Sequence, residues 1–246
     1  MRTALLTDIH ANVQALTAVL IDVSDCGIDD IVCLGDIVGY GADPGPCVDM
    51  IRAVAGWCVK GNHDHYTTLE SSAMEDILGR DDVMEEPVWS AIKYAREQLS
   101  EEQLNWLRER ELIVGIDGAV AAHAALHEAD AYLRNQEEAL PTLDILKDKV
   151  GFFGHTHREN VFALPGPIPE RDAQGVVCLP AGAVAVTVGA VGQPRDGGQN
   201  ARWAIWDPDE RTVEFREVKY DVQGAVQSIL EAGICPINAI RLFGEE

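Results

Sequence analysis

Basic residues are scarce in this chain of 246: 19 lysines and arginines face 41 aspartates and glutamates, a formal charge of −22. A surface of that sign gives no general hold on nucleic-acid backbone or on an anionic membrane, both of which need basic patches. A phosphate substrate is not excluded, because bound metal ions reverse the sign locally. Long apolar runs are missing too. The most apolar late stretch, from Val176 to Gly192, is broken by Pro180 and several glycines, so it reads as strands and turns and not as a membrane helix. The six cysteines are scattered, with no Cys-x-x-Cys pair, and Met1-Arg2-Thr3 leads into a short apolar segment without the pattern of a secretory signal. Reduced, buried thiols and a cytoplasmic location are expected.

What is present suits one large folded domain. The 47% of apolar residues can build a substantial core, and a charged fraction of 24% is ordinary for a globular chain. A single domain over residues 1–246 is expected. Residues 3–7 read as a buried strand, and Asn12 as the cap of a helix carrying Val13, Leu16, Val19 and Leu20. A second strand at 31–34, a helix near 48–54 and a third strand at 57–59 continue the alternation, which argues for an α/β fold with partly parallel strands. Residues from about 74 to 110 carry helix formers and dense charge, with a capping box at Ser100, and suggest a helical insertion or lid. A hairpin is predicted from 112–116 and 119–122 around Asp117-Gly118, a strong two-residue turn signal. Strands at 150–153, 176–179, 183–188, 202–206 and 212–218, then a helix at 222–231, complete the pattern.

Five segments bring chemistry to the ends of predicted strands: Asp8-x-His10, Gly35-Asp36, Gly61-Asn62-His63-Asp64, His123, and Gly154-His155-Thr156-His157. Ligands gather at that edge of an open α/β sheet. Five of the seven histidines lie in these segments, which chance does not readily produce. Imidazole nitrogens with carboxylate and amide oxygens suit manganese, iron or zinc better than calcium. Asp8/His10 and His155/His157 each put two donors on one side of an extended chain. Asp36, between such sets, could bridge two ions about 3.5–4 Å apart that share a hydroxide and clamp a phosphoryl group. Taken singly, Asp8, Asp36 and Asn62 read equally well as caps or turn residues; the histidines beside them outweigh that reading. His65 and His127 match no part of the pattern and are expected at the rim or surface. Tyr40 could pack a loop or line the cleft, and Arg195 could pair with Asp196 or grip a phosphate.

The ordered series resembles the calcineurin-like metallophosphoesterase superfamily. Gly35-Asp36-Ile37-Val38-Gly39-Tyr40-Gly41 and Gly192-Gln193-Pro194-Arg195-Asp196-Gly197 look like a bacterial branch of it. The resemblance implies a two-sheet β-sandwich flanked by helices with a dinuclear site at one edge. One divalent ion would be held by Asp8, His10, Asp36 and His157, the second by Asp36, Asn62, His123 and His155. His63 would lie above the pair as a proton donor or hydrogen-bond donor, with Asp64 orienting its ring. The implied activity is hydrolysis of phosphate monoesters or diesters by a hydroxide bridging the ions, with a phosphorylated small molecule or nucleotide as partner. A metal-binding scaffold with little catalysis and a dinucleoside polyphosphate hydrolase are the alternatives. Two segments depart from that branch. His123-Ala124-Ala125-Leu126 stands where Gly-Ser-Pro usually follows the histidine, and Thr187-Val188-Gly189-Ala190 stands in place of Asn-Pro-Gly-Ser.

Overall fold

Side-chain alternation along the first strand sets the layering. A computed structural model of the chain describes residues 1–69, 86–164 and 169–244. In it β1 (Thr3–Leu6) is buried along its whole length. Ala4 and Leu6 point into a helical layer and Leu5 into the space between two sheets, as a period of two requires. Next comes α1 (Val13–Asp25), whose Asn12 cap accepts the Ala15 N–H at 3.0 Å. β2 (Asp30–Cys33) lies parallel to β1. The helix expected from 48 begins earlier, as α2 (Pro44–Val54), because Pro44 brings its fixed φ to the first helical position. β3 (Trp57–Cys58) pairs parallel with β2.

Among the described residues three helices follow: α3 (Asn62–Thr67), α4 (Glu86–Gln98) and α5 (Glu101–Arg108). The Ser100 capping box forms at the start of α5. Part of the expected insertion at 74–110 lies outside the described residues; its described part, α4 and α5, packs on α2 and α3. The hairpin of β4 (Ile113–Ile116) and β5 (Ala119–Ala122) turns through Asp117 (φ 40°) and Gly118 (φ 77°), the two positive values a two-residue I′ turn needs. The chain continues through α6 (Gln136–Leu146), β6 (Val150–Phe153), β7 (Glu159–Leu164), β8 (Val176–Cys178), β9 (Ala183–Val188), β10 (Ala201–Asp207), β11 (Thr212–Val218), α7 (Val222–Glu231) and α8 (Ile237–Arg241).

Both sheets are mixed. One runs β3-β2-β1-β10-β11-β8 and the other β4-β5-β6-β9-β7, with β1–β3 parallel in the first and β5, β6 and β9 parallel in the second. Leu5, Val32, Leu34, Phe152, Val184 and Trp206 pack between them. Leu16, Val19, Ile51 and Leu107 seal the outer face of the first sheet; Leu143 and Leu146 of α6 seal the second against Phe153 and Phe162. The expected helix-flanked two-sheet sandwich is therefore the fold. Cys33, Cys47 and Cys58 are buried thiols as expected, whereas Cys178 is exposed. Among the described residues no helix is long and apolar enough to cross a membrane.

Candidate metal centre

The parallel strands deliver their loops to one edge, and the backbone there is forced into an unusual shape. Asp8 (φ 52°), His10 (49°), Asp36 (54°), His155 (66°) and His157 (56°) all occupy the left-handed region. Each such residue costs on the order of 1–3 kcal/mol and persists only where its surroundings over-determine it. Here they do. The Asp8 N–H donates to the Gly35 carbonyl at 3.0 Å, the His10 N–H to Asp36 at 3.0 Å, and the Gly192 N–H to Asp8 at 2.9 Å.

These turns aim the imidazoles with defined tautomers. A carbonyl only accepts, so each ring nitrogen facing one must carry the proton. His10 Nδ1 donates to Val38 O at 3.1 Å, His123 Nδ1 to Leu34 O at 2.8 Å and His157 Nδ1 to Gln193 O at 2.6 Å. Their Nε2 atoms are left pointing inward. His155 is held the other way round, with Nε2 donating to Asp130 O at 3.0 Å, which leaves Nδ1 as its candidate ligand atom.

The inward atoms crowd together. His10 Nε2 and His157 Nε2 are 3.1 Å apart, and Asp8 Oδ1 lies 3.7 and 3.3 Å from them. Neither imidazole has a proton to offer the other. Asp36 Oδ1 accepts the His63 N–H at 2.8 Å, so Oδ2 is the oxygen turned to His10 Nε2 at 3.7 Å and His123 Nε2 at 3.3 Å. Asn62 Oδ1 completes that side, 3.1 Å from His123 Nε2. Among the described residues three sets of side chains bring candidate ligand atoms within 4.8 Å of one another: Asp8, His10 and His157; Asp36, His123 and His155; and His10, Asp36 and His63. Lone pairs converging on lone pairs in a buried site are what a cation requires, and His/Asp/Asn donors fit a divalent transition ion.

Burial dominates the electrostatics. It pushes Asp8 up to about 7, with the Asp36 charge adding to the rise. It also holds His10 and His157 well below the ordinary imidazole range, with His63 and Arg195 contributing respectively, and lowers His155 to about 4 with help from His123. Asp36 and His123 go against this trend. Burial would raise Asp36, but His123, His63 and His10 hold it well below the carboxylate range. Burial would lower His123, but Asp36 carries it up to about 10. The carboxylate at the heart of the cluster thus draws in the proton within its reach, an electrostatic demand that a metal ion meets more fully.

His63 sits over this cluster, buried, with its ring 4.7 Å from that of His10 and 4.6 Å from that of Tyr40. Among the described residues its Nδ1 has no hydrogen-bond partner; the ring packs flush on Gly39, where an added Cβ would fall 2.2 Å from Nδ1. Asp64 is placed differently from its expected role. Its carboxylate accepts the N–H groups of Asp36, Ile37, Val38 and Gly61 at 2.9–3.2 Å and so clamps the loop after β2 instead of orienting His63. Gly61 is required beside it, since a Cβ there would lie 2.0 Å from Asp36 Oδ1.

A cleft of about 250 Å³ opens over the cluster, lined by Asp36, Asn62, His63, His155 and His157 with Tyr40 and Arg195. Arg195 Nη2 donates to Tyr40 OH at 3.2 Å, while Asp196 pairs with Arg202 at 2.8 Å. The cleft, not Asp196, is where Arg195 is directed. His65 and His127 are exposed, His127 bonded to Thr142. Asp130 and Tyr132, not anticipated from sequence, support His155: one supplies a carbonyl, and the other stacks on its ring at 4.1 Å. The altered segment 187–190 lies buried at the end of β9, where Thr187 Oγ1 donates to Arg158 O at 2.7 Å.

A sequence model of the calcineurin-like phosphoesterase superfamily domain matches residues 1–211. A Methanocaldococcus jannaschii protein is 32% identical over 247 residues, spanning 98% of this chain and 96% of its own length. The solved structure of a metallophosphoesterase from Sphaerobacter thermophilus is similar at a TM-score of 0.83 and 32% identity, covering 98% of both chains. A Pyrococcus horikoshii OT3 protein shares the fold at a TM-score of 0.82 and 17% identity, covering 100% of this chain and 99% of its own.

Proposed function

Because the chain belongs to the calcineurin-like phosphoesterase superfamily, we propose that it hydrolyses phosphate monoesters or diesters with two divalent metal ions. The observation that carries this reading is the convergence of the unprotonated His10 and His157 nitrogens, 3.1 Å from each other, on Asp8, beside an Asp36 oxygen that faces His10 and one further imidazole, that of His123. Asp8, His10, Asp36 and His157 would hold one ion; Asp36, Asn62, His123 and His155 would hold the other. When bound, such a pair supplies a nucleophilic hydroxide and neutralises the phosphoryl oxygens.

The chain's own groups do the rest. The carbonyls of Leu34, Val38, Gln193 and Asp130 fix the four imidazoles so that their ligand atoms need no reorientation. His63, held below the ordinary imidazole range by burial, is neutral at neutral pH and keeps one N–H. Its role is to give that hydrogen bond to a phosphoryl oxygen rather than to transfer a proton. The Arg195 guanidinium, turned into the cleft beside Tyr40, offers a second grip on the same oxygens.

A panel of aryl monoesters, diesters and nucleotides, run with manganese, iron, zinc and chelator, tests the reading. Metal-dependent turnover that chelator and Asp36→Asn both abolish is expected. Turnover indifferent to chelator, or none above the uncatalysed rate with any metal, overturns it.

A further inference from the structure

The cleft over the cluster continues into a larger one, about 500 Å³ against about 250 Å³. Asn62, Tyr66 and Asp130 line both, and the larger cleft reaches His123 from the other side. The smaller space suits a phosphoryl group; the larger falls in the range of pockets that enclose a whole small organic molecule.

The walls of the larger space are apolar. Ala124, Ala125 and Leu126 follow His123 directly, and opposite them stand Leu112 and Ile113, 64% and 49% exposed. Large apolar side chains left in water around a concavity mark a surface that something covers. The Tyr66 and His65 rings, 5.7 Å apart, add flat faces. Among the described residues charged groups are few and already engaged: Lys60 Nζ donates to Arg108 O at 2.6 Å, and the Asp130 carboxylate accepts from Tyr66 OH at 3.2 Å. Asp130 stands where the two clefts meet, so a second phosphate passing that way would meet a carboxylate.

We propose that the larger cleft binds the alcohol portion of the ester, and that this portion is an uncharged apolar group of one or two rings, not a polyphosphate chain. The inference rests on the proposed phosphoesterase reading and narrows its substrate class. Continuity with the metal cleft commits the cleft to this occupant, since an ester held at its phosphoryl group between Asn62 and His155 has its next atoms at the rim both spaces share.

Binding tests this without turnover. Calorimetry on the manganese-loaded full chain would compare 1-naphthylphosphonate with methylphosphonate, neither of which can be hydrolysed. The naphthyl compound is expected to bind on the order of 100-fold more tightly, from the apolar area it buries. Leu126→Asp, which charges the wall, and Ala124→Trp, which fills the space, should each bring that ratio towards one. Equal affinities in the parent, or an unchanged ratio in both variants, overturn the inference and leave the phosphoesterase reading intact. A preserved ratio in a protein that hydrolyses no ester would support the cleft and count against the activity. Failure of both phosphonates to bind a manganese-loaded chain counts against both.

Discussion

In the proposed reaction His63 is the residue on which the chemistry turns, because it is the buried imidazole over the cluster whose Nδ1 has no partner among the described residues. Its hydrogen-bonding role separates two variants. His63→Ala is expected to lower kcat by roughly 100-fold or more, the usual cost of removing a donor aimed at developing charge. His63→Gln, which still donates, should recover part of that loss, and both should keep the parent metal content. Steady-state kinetics with elemental analysis checks this; equal losses in the two variants would point to proton transfer instead. The neighbouring Asp64 shows the limit of reading roles from adjacency. A carboxylate next to a buried histidine suggests a partner for its ring, yet four backbone N–H groups claim it. The carbonyls of Leu34, Val38 and Gln193 escape notice for a related reason: every residue has a carbonyl, so nothing in the side chain marks the one that sets a tautomer.

At the level of elements, the helix that follows β1 is tied to the site through its cap. Asn12 Oδ1 caps α1, while Nδ2 donates to Gly192 O at 2.9 Å, one residue before the Gln193 carbonyl that holds His157. Asn12→Ala should therefore cost about 1 kcal/mol for the cap and about 1–3 kcal/mol more for the stranded carbonyl. That predicts a fall in Tm of several degrees with weakened metal binding. Ser100→Ala, which removes the cap of α5 far from the cluster, should lower Tm without touching the metal. Thermal melts with and without manganese distinguish these outcomes. Elements with strong periodicity, such as α7 and the 119–122 strand, are legible from the sequence. α6 is not, because Pro141 falls inside it and reads as a breaker. α3 is hidden as well: its six residues, Asn62 to Thr67, are mostly polar, and its buried His63, Asp64 and Thr67 are paid for by the site rather than by an apolar stripe. β7 begins on Glu159 and Asn160, which mask its apolar half.

The whole molecule explains why the candidate ligands lie so far apart in sequence. Asp8, Asp36 and Asn62 follow strands of one sheet and His123, His155 and His157 follow strands of the other. The centre therefore exists only when the two sheets are packed through Leu5, Leu34, Phe152 and Trp206. Ions bound there would act as a bolt between sheets, adding stability that rises with the logarithm of the free metal concentration once this exceeds the dissociation constant. The convergence of these side chains is readable from the sequence because strand ends in an α/β architecture meet at one edge. The support from Asp130 and Tyr132 was not, since their loop reaches His155 only in three dimensions. The most direct test of the central claim is a calorimetric titration of the metal-stripped chain with manganese. Two ions per chain are expected for the parent and fewer than two for Asp36→Asn, which loses the shared carboxylate. Saturation of the parent at one ion or none, or an Asp36→Asn isotherm matching that of the parent, would contradict the account.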